Sequence, residues 1–212
     1  PRNIFLGTPG LLVAPETTDQ VSYVIKKANS NWVGIIPFGG GTGLVGGQLL
    51  DSNSEIVEAP IILSLERMRS VRSLYPSENV MTVDAGSVLA DVQSQAEKVD
   101  RLFPLSIASK SSAQIGGLLA TNAGGVNVLR YGMARDQVLG IEAVLADGTV
   151  ISAMNKMVKN NSGYDLKHLF IGSEGTLGIV TKVVVQLQPK LLASHTALCA
   201  LEDYDSVIKL LA

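Results

Sequence analysis

The sequence has little cysteine and little charge, and each shortage excludes a class of protein. A single cysteine in 212 residues, Cys199, excludes an internal disulfide framework. Charged residues make up 17 % of the chain, against an average of about 25 %, so the composition is not that of a disordered, charge-rich chain. The 17 basic and 19 acidic residues leave a net charge of −2, without the basic surplus of a nucleic-acid-binding protein.

Long apolar runs are missing as well. The stretches 28–50 and 111–129 carry no charge, but Gly, Asn, Ser and Thr interrupt both, so neither is typical of a membrane span. No apolar run of the kind found in secretory signals follows Pro1, Arg2 and Asn3. The compartment stays open on this evidence, and a cytoplasmic location is favoured for a bacterial source.

Glycine, by contrast, is abundant and concentrated. The chain has 21 glycines, and 14 of them lie in the three windows 39–47, 116–125 and 163–178. Patterned apolar sequence flanks each window, which is not typical of a flexible linker. Glycine inside an ordered frame indicates a positive φ angle or a backbone that another group approaches closely.

The hydrophobic pattern predicts an α+β fold, with hairpins of strands in the second half. Thr17, with Gln20 three residues later, has capping-box spacing and predicts the start of the first helix. Further helices are predicted after Ser87, after Ser112 (over 115–120) and after Asp203. Strands are predicted over 32–37, 61–65, 71–75, 80–84, 138–145, 149–151, 176–188 and 196–201, with Trp32 and Cys199 packed in the core.

A domain boundary is expected near Pro189, where the last long strand ends. Beyond it the sequence offers one strand and one amphipathic helix, with no further sheet for the helix to cover. Together with the missing initiator Met, this pattern favours a fragment of a longer protein, cut shortly after the boundary.

The first glycine window, PFGGGTGLVGG over 37–47, has the composition of a phosphate-binding loop without a cation. No Lys or Arg occurs between Lys27 and Arg67. Any bound phosphate would therefore be held by backbone N–H groups, which form an anion-binding nest where side chains do not block them, and by the Thr42 hydroxyl. A glycine-rich turn that binds nothing stays the alternative.

Two standard phosphate motifs fit this window poorly. It ends in Gly46-Gly47-Gln48 and lacks the Gly-Lys-Ser/Thr of a P-loop. Gly41, Gly43 and Gly46 have the spacing of the dinucleotide fingerprint, but the fingerprint requires a helix directly afterwards, and 48–58 shows no helical face.

Two further uncharged segments accompany the first window. The second, over 103–125, combines hydroxyl side chains, a short helix whose N-terminus near Ser112 offers free N–H groups, and two Gly-Gly pairs. The third covers 160–179. Three glycine-dense loops on one domain indicate a long ligand with a diphosphate and flat rings, held mostly by backbone.

The order of four motifs gives the sequence a specific resemblance. They are PFGGGTGLVGG, PLSIASKSSAQIGGLLATNAGG, RYGMARDQVLGIEAVLADGTVI and NNSGYDLKHLFIGSEGTLGIVT, beginning at Pro37, Pro104, Arg130 and Asn160. Over about residues 10–190 the chain resembles the PCMH-type FAD-binding domain of the vanillyl-alcohol-oxidase superfamily. Within it, the sequence is most similar to FAD-linked D-2-hydroxyacid dehydrogenases, the group of D-2-hydroxyglutarate dehydrogenase, glycolate oxidase and D-lactate dehydrogenase.

The resemblance implies a domain layout and a set of cofactor contacts. Two α+β subdomains, 1–70 and 71–190, would hold FAD between them, and 191–212 would begin a separate cap domain. Carried over motif by motif, the contacts to FAD are Gly39, Gly40, Gly41, Thr42, Gly43, Gly47, Gln48, Pro104, Leu105, Ser109, Ser112, Gly116, Gly117, Asn122, Gly124, Glu174, Gly178 and Ile179. The chain departs from the family at Phe38, usually a basic residue, and at Ser109, commonly a glycine.

The implied reaction is oxidation of a D-2-hydroxyacid, with D-2-hydroxyglutarate favoured, by hydride transfer to non-covalent FAD. The electron acceptor stays open, and the family places the metal-binding histidines and the carboxylate-binding arginine in the cap region. His168, expected on a surface helical turn, and His195, expected to be exposed, are not assigned to catalysis, and no metal site is assigned here. The alternatives are a nicotinamide-dependent dehydrogenase and a non-catalytic binding module.

Overall fold

A computed structural model describes residues 10–49 and 59–211, and these residues form one parallel sheet, a five-stranded and a two-stranded antiparallel sheet, and several helices. The strands are β1 (Leu11–Val13), β2 (Ile35–Phe38), β3 (Ile61–Ser64), β4 (Val71–Tyr75), β5 (Val80–Asp84), β6 (Arg101–Leu102), β7 (Val138–Val144), β8 (Val150–Ala153), β9 (Ile179–Gln186) and β10 (Gln188–Pro189). The helices are α1 (Thr18–Ser30), α2 (Leu89–Glu97), α3 (Ile115–Ala120), α4 (Val128–Tyr131), α5 (Lys167–Phe170) and α6 (Tyr204–Leu211). The predicted α+β class is confirmed.

A small parallel sheet in the order β1-β3-β2 places the first glycine window. Ile61 of β3 pairs with Leu11 on one side and Ile35 on the other. Helix α1 connects β1 to β2, and the Thr17 side chain accepts a hydrogen bond from the N–H of Gln20 at 3.2 Å, as the capping spacing predicts. Since β2 ends at Phe38, the glycine window begins at the carboxyl end of a parallel strand, where open α/β sheets bind ligands.

A larger antiparallel sheet in the order β4-β5-β9-β7-β8 forms the second layer. Its central strand β9 has buried residues on both faces, and only Lys182 and Gln186 within it are half-buried. The strand begins at Ile179, three residues later than predicted, because 176–178 still belong to the third glycine window. Its predicted end at 188 is also wrong, since Gln188 pairs separately with Leu102.

Helix α3 packs against β9 and is fixed at its start by the backbone. The N–H of Ile115 donates to the carbonyl of Ser87, and that of Gly116 to the carbonyl of Ala85. The predicted capping roles of two serines are wrong: α2 starts after Val88 and α3 after Gln114, and neither Ser87 nor Ser112 makes a capping bond. An antiparallel β-bridge pairs Val88 with Gln114, the residues that precede α2 and α3. This backbone pairing fixes the starts of both helices in place of serine caps.

Hydrogen bonds join the parallel-sheet layer to the antiparallel sheet. The Glu142 carboxylate on β7 accepts from the Thr18 hydroxyl of α1 at 2.6 Å, from Thr181 at 2.8 Å and from the Lys182 ammonium at 2.9 Å. The Ser22 hydroxyl of α1 donates to the carbonyl of Gly148 at 2.5 Å. These contacts fix the relative position of the two layers.

Three expectations about packing are wrong. Trp32 is 94 % exposed in a left-handed turn after α1, and its strand starts only at Ile35. Cys199 is exposed, and 196–201 form no strand because they pair with no sheet edge in the described part of the chain.

Helix α6 is present where the sequence predicts it, with Asp203 accepting from the N–H of Ser206 at 2.7 Å. None of the described helices is both long and apolar enough to cross a membrane.

Candidate functional site

The first and second glycine windows face each other across a cavity of about 450 Å³, here called the glycine cavity. Ten of the predicted cofactor residues line it: Gly39, Gly40, Gly41, Thr42, Gly43, Gly47, Gln48, Ser109, Gly117 and Glu174. They come from the loop after β2, from the segment before α3, from α3 itself and from the loop after α5. Residues up to 135 positions apart in sequence thus share one wall.

A narrower cavity of about 90 Å³, here called the apolar cavity, adjoins the first. Its walls include the apolar side chains of Leu63, Leu65, Ala85, Phe170, Ile179 and Val180, together with the predicted Gly116 and Gly178. Both cavities share Pro37, Gly39, Gln114, Gly117, Ala120 and Glu174. The shared residues mark the junction between a backbone-lined space and an apolar one.

The other predicted residues line neither cavity: Pro104, Leu105, Ser112, Asn122 and Gly124. Pro104 and Leu105 are buried, and the carbonyl of Leu105 accepts from the Gln93 amide at 2.7 Å. The Oδ1 atom of Asn122 accepts from the N–H of Arg135, and a Cβ on Gly124 would lie 3.0 Å from the Met133 sulfur. Direct contacts of these residues to a cofactor stay predictions.

Glycine is required at two positions of the first window for different reasons. A Cβ on Gly40 would lie 1.9 Å from the carbonyl oxygen of Ser112, so the two windows touch backbone to backbone. Gly41 has φ +66°, and a Cβ there would meet the Phe38 ring at 3.3 Å. Phe38, where the family usually has a basic residue, thus packs beneath the glycine turn.

Helix α3 contributes fewer free donors than the sequence predicts. The N–H groups of Ile115 and Gly116 are occupied by backbone carbonyls, whereas that of Gly117 has no backbone acceptor among the described residues. A Cβ on Gly117 would meet nothing within 4 Å, and Gly39 lies opposite, its own Cβ position 3.7 Å from the Gly117 Cα. The two glycines therefore bring the two windows into close approach, and the Cβ side of Gly117 is left open.

The walls carry almost no charge. Among the described residues that line the two cavities there is no Lys, Arg or His, and Glu174 is the one charged side chain. The Nε2 atom of Gln48 is buried and has no hydrogen-bond partner in the described part of the chain. Free amides, the Thr42 hydroxyl and this side-chain amide fit a diphosphate that is bound without a cation.

Sequence reasoning missed two polar residues of the glycine cavity, Gln114 and Thr121. Both flank the Gly116-Gly117 pair within an uncharged window, and this position next to the glycines is the signal that could have found them. The Thr121 hydroxyl donates to the carbonyl of Gly117 at 3.0 Å, so it also fixes the end of α3.

Neither histidine lies on these cavities. His168 is half-buried on α5, with Nε2 at 3.3 Å from a carboxylate oxygen of Asp165, and it lines a separate cavity of about 400 Å³ with Arg135 and Tyr164. His195 is exposed. Within residues 10–49 and 59–211, no three His, Cys, Asp or Glu side chains group as metal ligands.

The dinucleotide fingerprint lacks its helix in the described residues. After the glycines comes a single 3-10 turn, Gly46–Gln48, where an α-helix would have to begin. The rest of the segment for which the sequence predicts no helical face, 50–58, lies outside the described residues.

A family profile described as an FAD binding domain matches residues 9–153. The chain belongs to this family of FAD-binding domains. The resemblance drawn from the four motifs is thereby confirmed.

Three relatives of this FAD-binding domain are similar along nearly its whole length. It is 42 % identical over 207 residues to the probable mitochondrial D-2-hydroxyglutarate dehydrogenase of Oryza sativa subsp. indica, covering 98 % of the chain and 36 % of the relative. It is 41 % identical over 206 residues to the D-2-hydroxyglutarate–pyruvate transhydrogenase of Saccharomyces cerevisiae, covering 97 % and 40 %. For the mitochondrial D-2-hydroxyglutarate dehydrogenase of Bos taurus the identity is 40 % over 203 residues, covering 96 % and 36 %. The chain spans two fifths or less of these relatives' own length.

Solved structures share the fold of this FAD-binding domain. An alkyldihydroxyacetonephosphate synthase matches with a TM-score of 0.78 and 27 % identity, over 88 % of this chain and 33 % of the other. The 6-hydroxy-D-nicotine oxidase of Arthrobacter nicotinovorans matches with a TM-score of 0.74 and 24 % identity, over 88 % and 38 %. At 24 % identity, the similarity to 6-hydroxy-D-nicotine oxidase shows a shared fold only.

Proposed function

We propose that this chain is the FAD-binding part of a flavoprotein that oxidises a D-2-hydroxyacid, with D-2-hydroxyglutarate as the favoured substrate. The observation that carries the proposal is the pair of joined cavities, which opposes two glycine windows across a space without basic side chains. The relatives, which act on D-2-hydroxyglutarate by name, supply the substrate class.

The chain's own residues act by binding and orienting the cofactor. The amides of Gly41, Gly43 and Gly117 and the Thr42 hydroxyl would hold the diphosphate and the adjoining chain of FAD. When bound, FAD supplies the acceptor for the hydride of the substrate's α-carbon. The apolar side chains of the apolar cavity would shield a flat ring of the cofactor from water.

Other parts of the reaction are assigned to residues beyond those that line the cavities. The hydroxyl proton requires a base, and the substrate carboxylate requires an arginine or a divalent metal. We assign these groups to a cap domain that begins after Pro189.

We further propose that FAD is held without a covalent bond. Thr42 occupies the glycine turn, and the nucleophilic side chains of His168 and Cys199 lie away from both cavities. Precipitation of the holoprotein with acid should release all the flavin into the supernatant. Flavin absorbance that stays with the washed pellet would contradict this expectation.

The visible spectrum of the purified chain tests the proposed function. After incubation with FAD and removal of free cofactor by gel filtration, the protein fraction should show the flavin bands in a ratio near one FAD per chain. NADH incubated in the same way should not co-elute. A protein that retains no FAD, or that retains NADH instead, would overturn the proposal.

A further inference from the structure

A half-buried arginine outside both cavities connects two of the glycine windows. Arg135 lies in the 3-10 turn between α4 and β7 and lines neither the glycine cavity nor the apolar cavity. Its backbone N–H donates to the Oδ1 atom of Asn122 at 3.0 Å, and the N–H of Ala134 donates to the carbonyl of Ala123 at 2.8 Å. These two bonds attach the backbone of the turn to the end of the second window.

The side chain of Arg135 reaches the third window. Its Nη2 atom donates to the carbonyl of Ile171 at 2.9 Å. In the described part of the chain no other group donates to that carbonyl, and Ile171 is buried. A buried carbonyl that loses its donor costs free energy. The guanidinium therefore satisfies the backbone at the point where the third window leaves α5.

The loop that follows Ile171 forms a wall of both cavities. Its residues on the apolar cavity are Ser173, Glu174, Gly175 and Gly178. Two backbone bonds attach this loop to α3. The N–H of Gly172 donates to the carbonyl of Leu119 at 3.0 Å, and the N–H of Glu174 donates to the carbonyl of Ala120 at 2.8 Å. The bond from Arg135 to Ile171 is a third attachment, at the start of the loop.

The backbone of this loop requires support from its surroundings. Glu174 has φ +52°, a left-handed value that a non-glycine residue holds only where the surrounding structure over-determines it. A Cβ on Gly172 would lie 3.5 Å from the Arg135 Nη2 atom and 3.7 Å from the Asn122 Cβ, so the two windows pack together beside the guanidinium. Without the Arg135 side chain, the loop loses the donor that holds its first carbonyl.

We propose that Arg135 is a positioning residue of the cofactor site, which holds the third window against the second so that both cavities are formed before the cofactor binds. The inference rests on the proposed function, because it takes the two cavities as the place of FAD. Arg135 acts through the loop after Ile171 and does not touch FAD. A loop that is already ordered does not have to be ordered on binding, so the affinity for FAD depends on this side chain.

FAD titration of three variants tests this role. Arg135→Met keeps an extended side chain and removes the donor, whereas Arg135→Lys keeps a cationic donor. Arg101→Met is the matched control, because Arg101 is also half-buried, donates from Nε to the carbonyl of Pro76 at 3.1 Å and lines neither cavity. The Kd for FAD should rise about tenfold in Arg135→Met, and stay within about threefold of the wild-type value in Arg135→Lys and Arg101→Met.

Hydrogen–deuterium exchange of the cofactor-free chains separates positioning from a general loss of stability. Arg135→Met should speed exchange of the amides in 172–178 and leave those of β5 unchanged. Arg101→Met should instead speed exchange in the turn 76–79. An unchanged rate in 172–178, or faster exchange across the whole chain, would overturn the proposal. If Arg135→Met fails to fold, Arg135→Gln replaces it in both measurements, because its shorter side chain does not span the same distance.

The possible failures are distinguishable. A wild-type chain that binds no FAD overturns the proposed function and this inference together. A wild-type chain that binds FAD, with Arg135→Met binding it equally well, leaves the proposed function standing and overturns the role of Arg135. Equal losses of affinity in Arg135→Met and Arg101→Met would overturn that role as well, since they would assign both arginines to general stability. An Arg135→Lys chain as weak as Arg135→Met would contradict the assignment of the effect to the bond with Ile171.

Discussion

At the scale of single residues, the glycines of the site divide by what a side chain would meet. Gly40 is closed by the Ser112 carbonyl and is needed for packing, whereas Gly117 has open space beside it on the cavity side. Composition predicted that these windows bind a ligand but could not separate the two kinds of glycine. That difference depends on residues about 70 positions away in sequence coming together.

Gly117→Ala should stabilise the cofactor-free chain and weaken FAD binding. Alanine favours a helix interior over glycine by about 1 kcal/mol, and its methyl group would occupy the open space beside Gly117 on the wall of the glycine cavity. Thermal unfolding and FAD titration measure the two effects. Gly34→Ala is the control, since a Cβ there meets nothing within 4 Å and Gly34 lies on neither cavity. Unchanged FAD affinity in Gly117→Ala would show that FAD does not contact the wall of the cavity at Gly117.

Gly41→Val should abolish retention of FAD. Its φ of +66° costs a non-glycine residue about 1–2 kcal/mol, and the new side chain would press against Phe38. Gly43→Val provides a comparison without backbone strain, because a Cβ on Gly43 lies 3.8 Å from the Gln48 amide. Gel filtration with FAD measures retention, and circular dichroism checks folding. A folded Gly41→Val chain with wild-type FAD affinity would contradict the proposal that the first glycine window binds the diphosphate.

At the scale of elements, the sequence predicts correctly the features that depend on neighbouring residues. Features that depend on contacts between distant segments are predicted wrongly. The Thr17 cap and the 71–84 hairpin were predicted correctly because turn and capping chemistry lies within a few residues. The strand over 196–201 was wrong because a strand needs a neighbouring edge, which a local pattern does not show. Helix α3 was placed correctly, but its cap was not, since Val88 of another segment fixes its start.

Acid should loosen the connection between α1 and the antiparallel sheet. Burial opposes the charged form of Glu142, but hydrogen bonds from Thr18, Lys182 and Thr181 outweigh it and lower the pKa of Glu142 below its ordinary 4.5. Because the folded-state pKa is the lower one, this stabilisation is complete above pH 4.5 and is lost as the pH falls through the folded-state pKa. We expect Glu142→Gln to flatten the acid limb of a stability–pH curve.

Urea unfolding between neutral and acid pH measures this change. Glu97→Gln is the control, because Glu97 pairs with Lys190 at the surface, where solvent screens the ion pair. An acid limb that is identical in the wild type and in Glu142→Gln would show that the Glu142 network does not connect the layers.

At the scale of the whole molecule, the motifs predicted one ligand but not its position. Four motifs in order identified the family, and folding then brought the first two windows and Glu174 to one pair of cavities. Pro104, Leu105 and Asn122 belong to the same motifs yet line neither cavity. Sequence order indicates which segments belong to a site, whereas the direction in which each residue points depends on tertiary packing.

The FAD-loaded chain of 212 residues should not oxidise D-2-hydroxyglutarate, D-lactate or glycolate by itself. No described residue on the cavities offers a histidine base or a basic side chain for the substrate carboxylate. Loss of substrate positioning alone can remove about 7–11 kcal/mol of barrier lowering. Dye reduction with each hydroxyacid measures the rate, and robust turnover would place the catalytic residues inside this chain.

The central claim is that FAD lies between the two layers and touches all three glycine windows at once. Hydrogen–deuterium exchange with and without FAD tests it most directly, since amides that bind or are covered by the cofactor exchange more slowly. FAD should slow exchange together in 39–48, 109–121 and 172–179, and leave the hairpin turn 76–79 unchanged. Protection confined to one window, or equal protection across the chain, would contradict the claim.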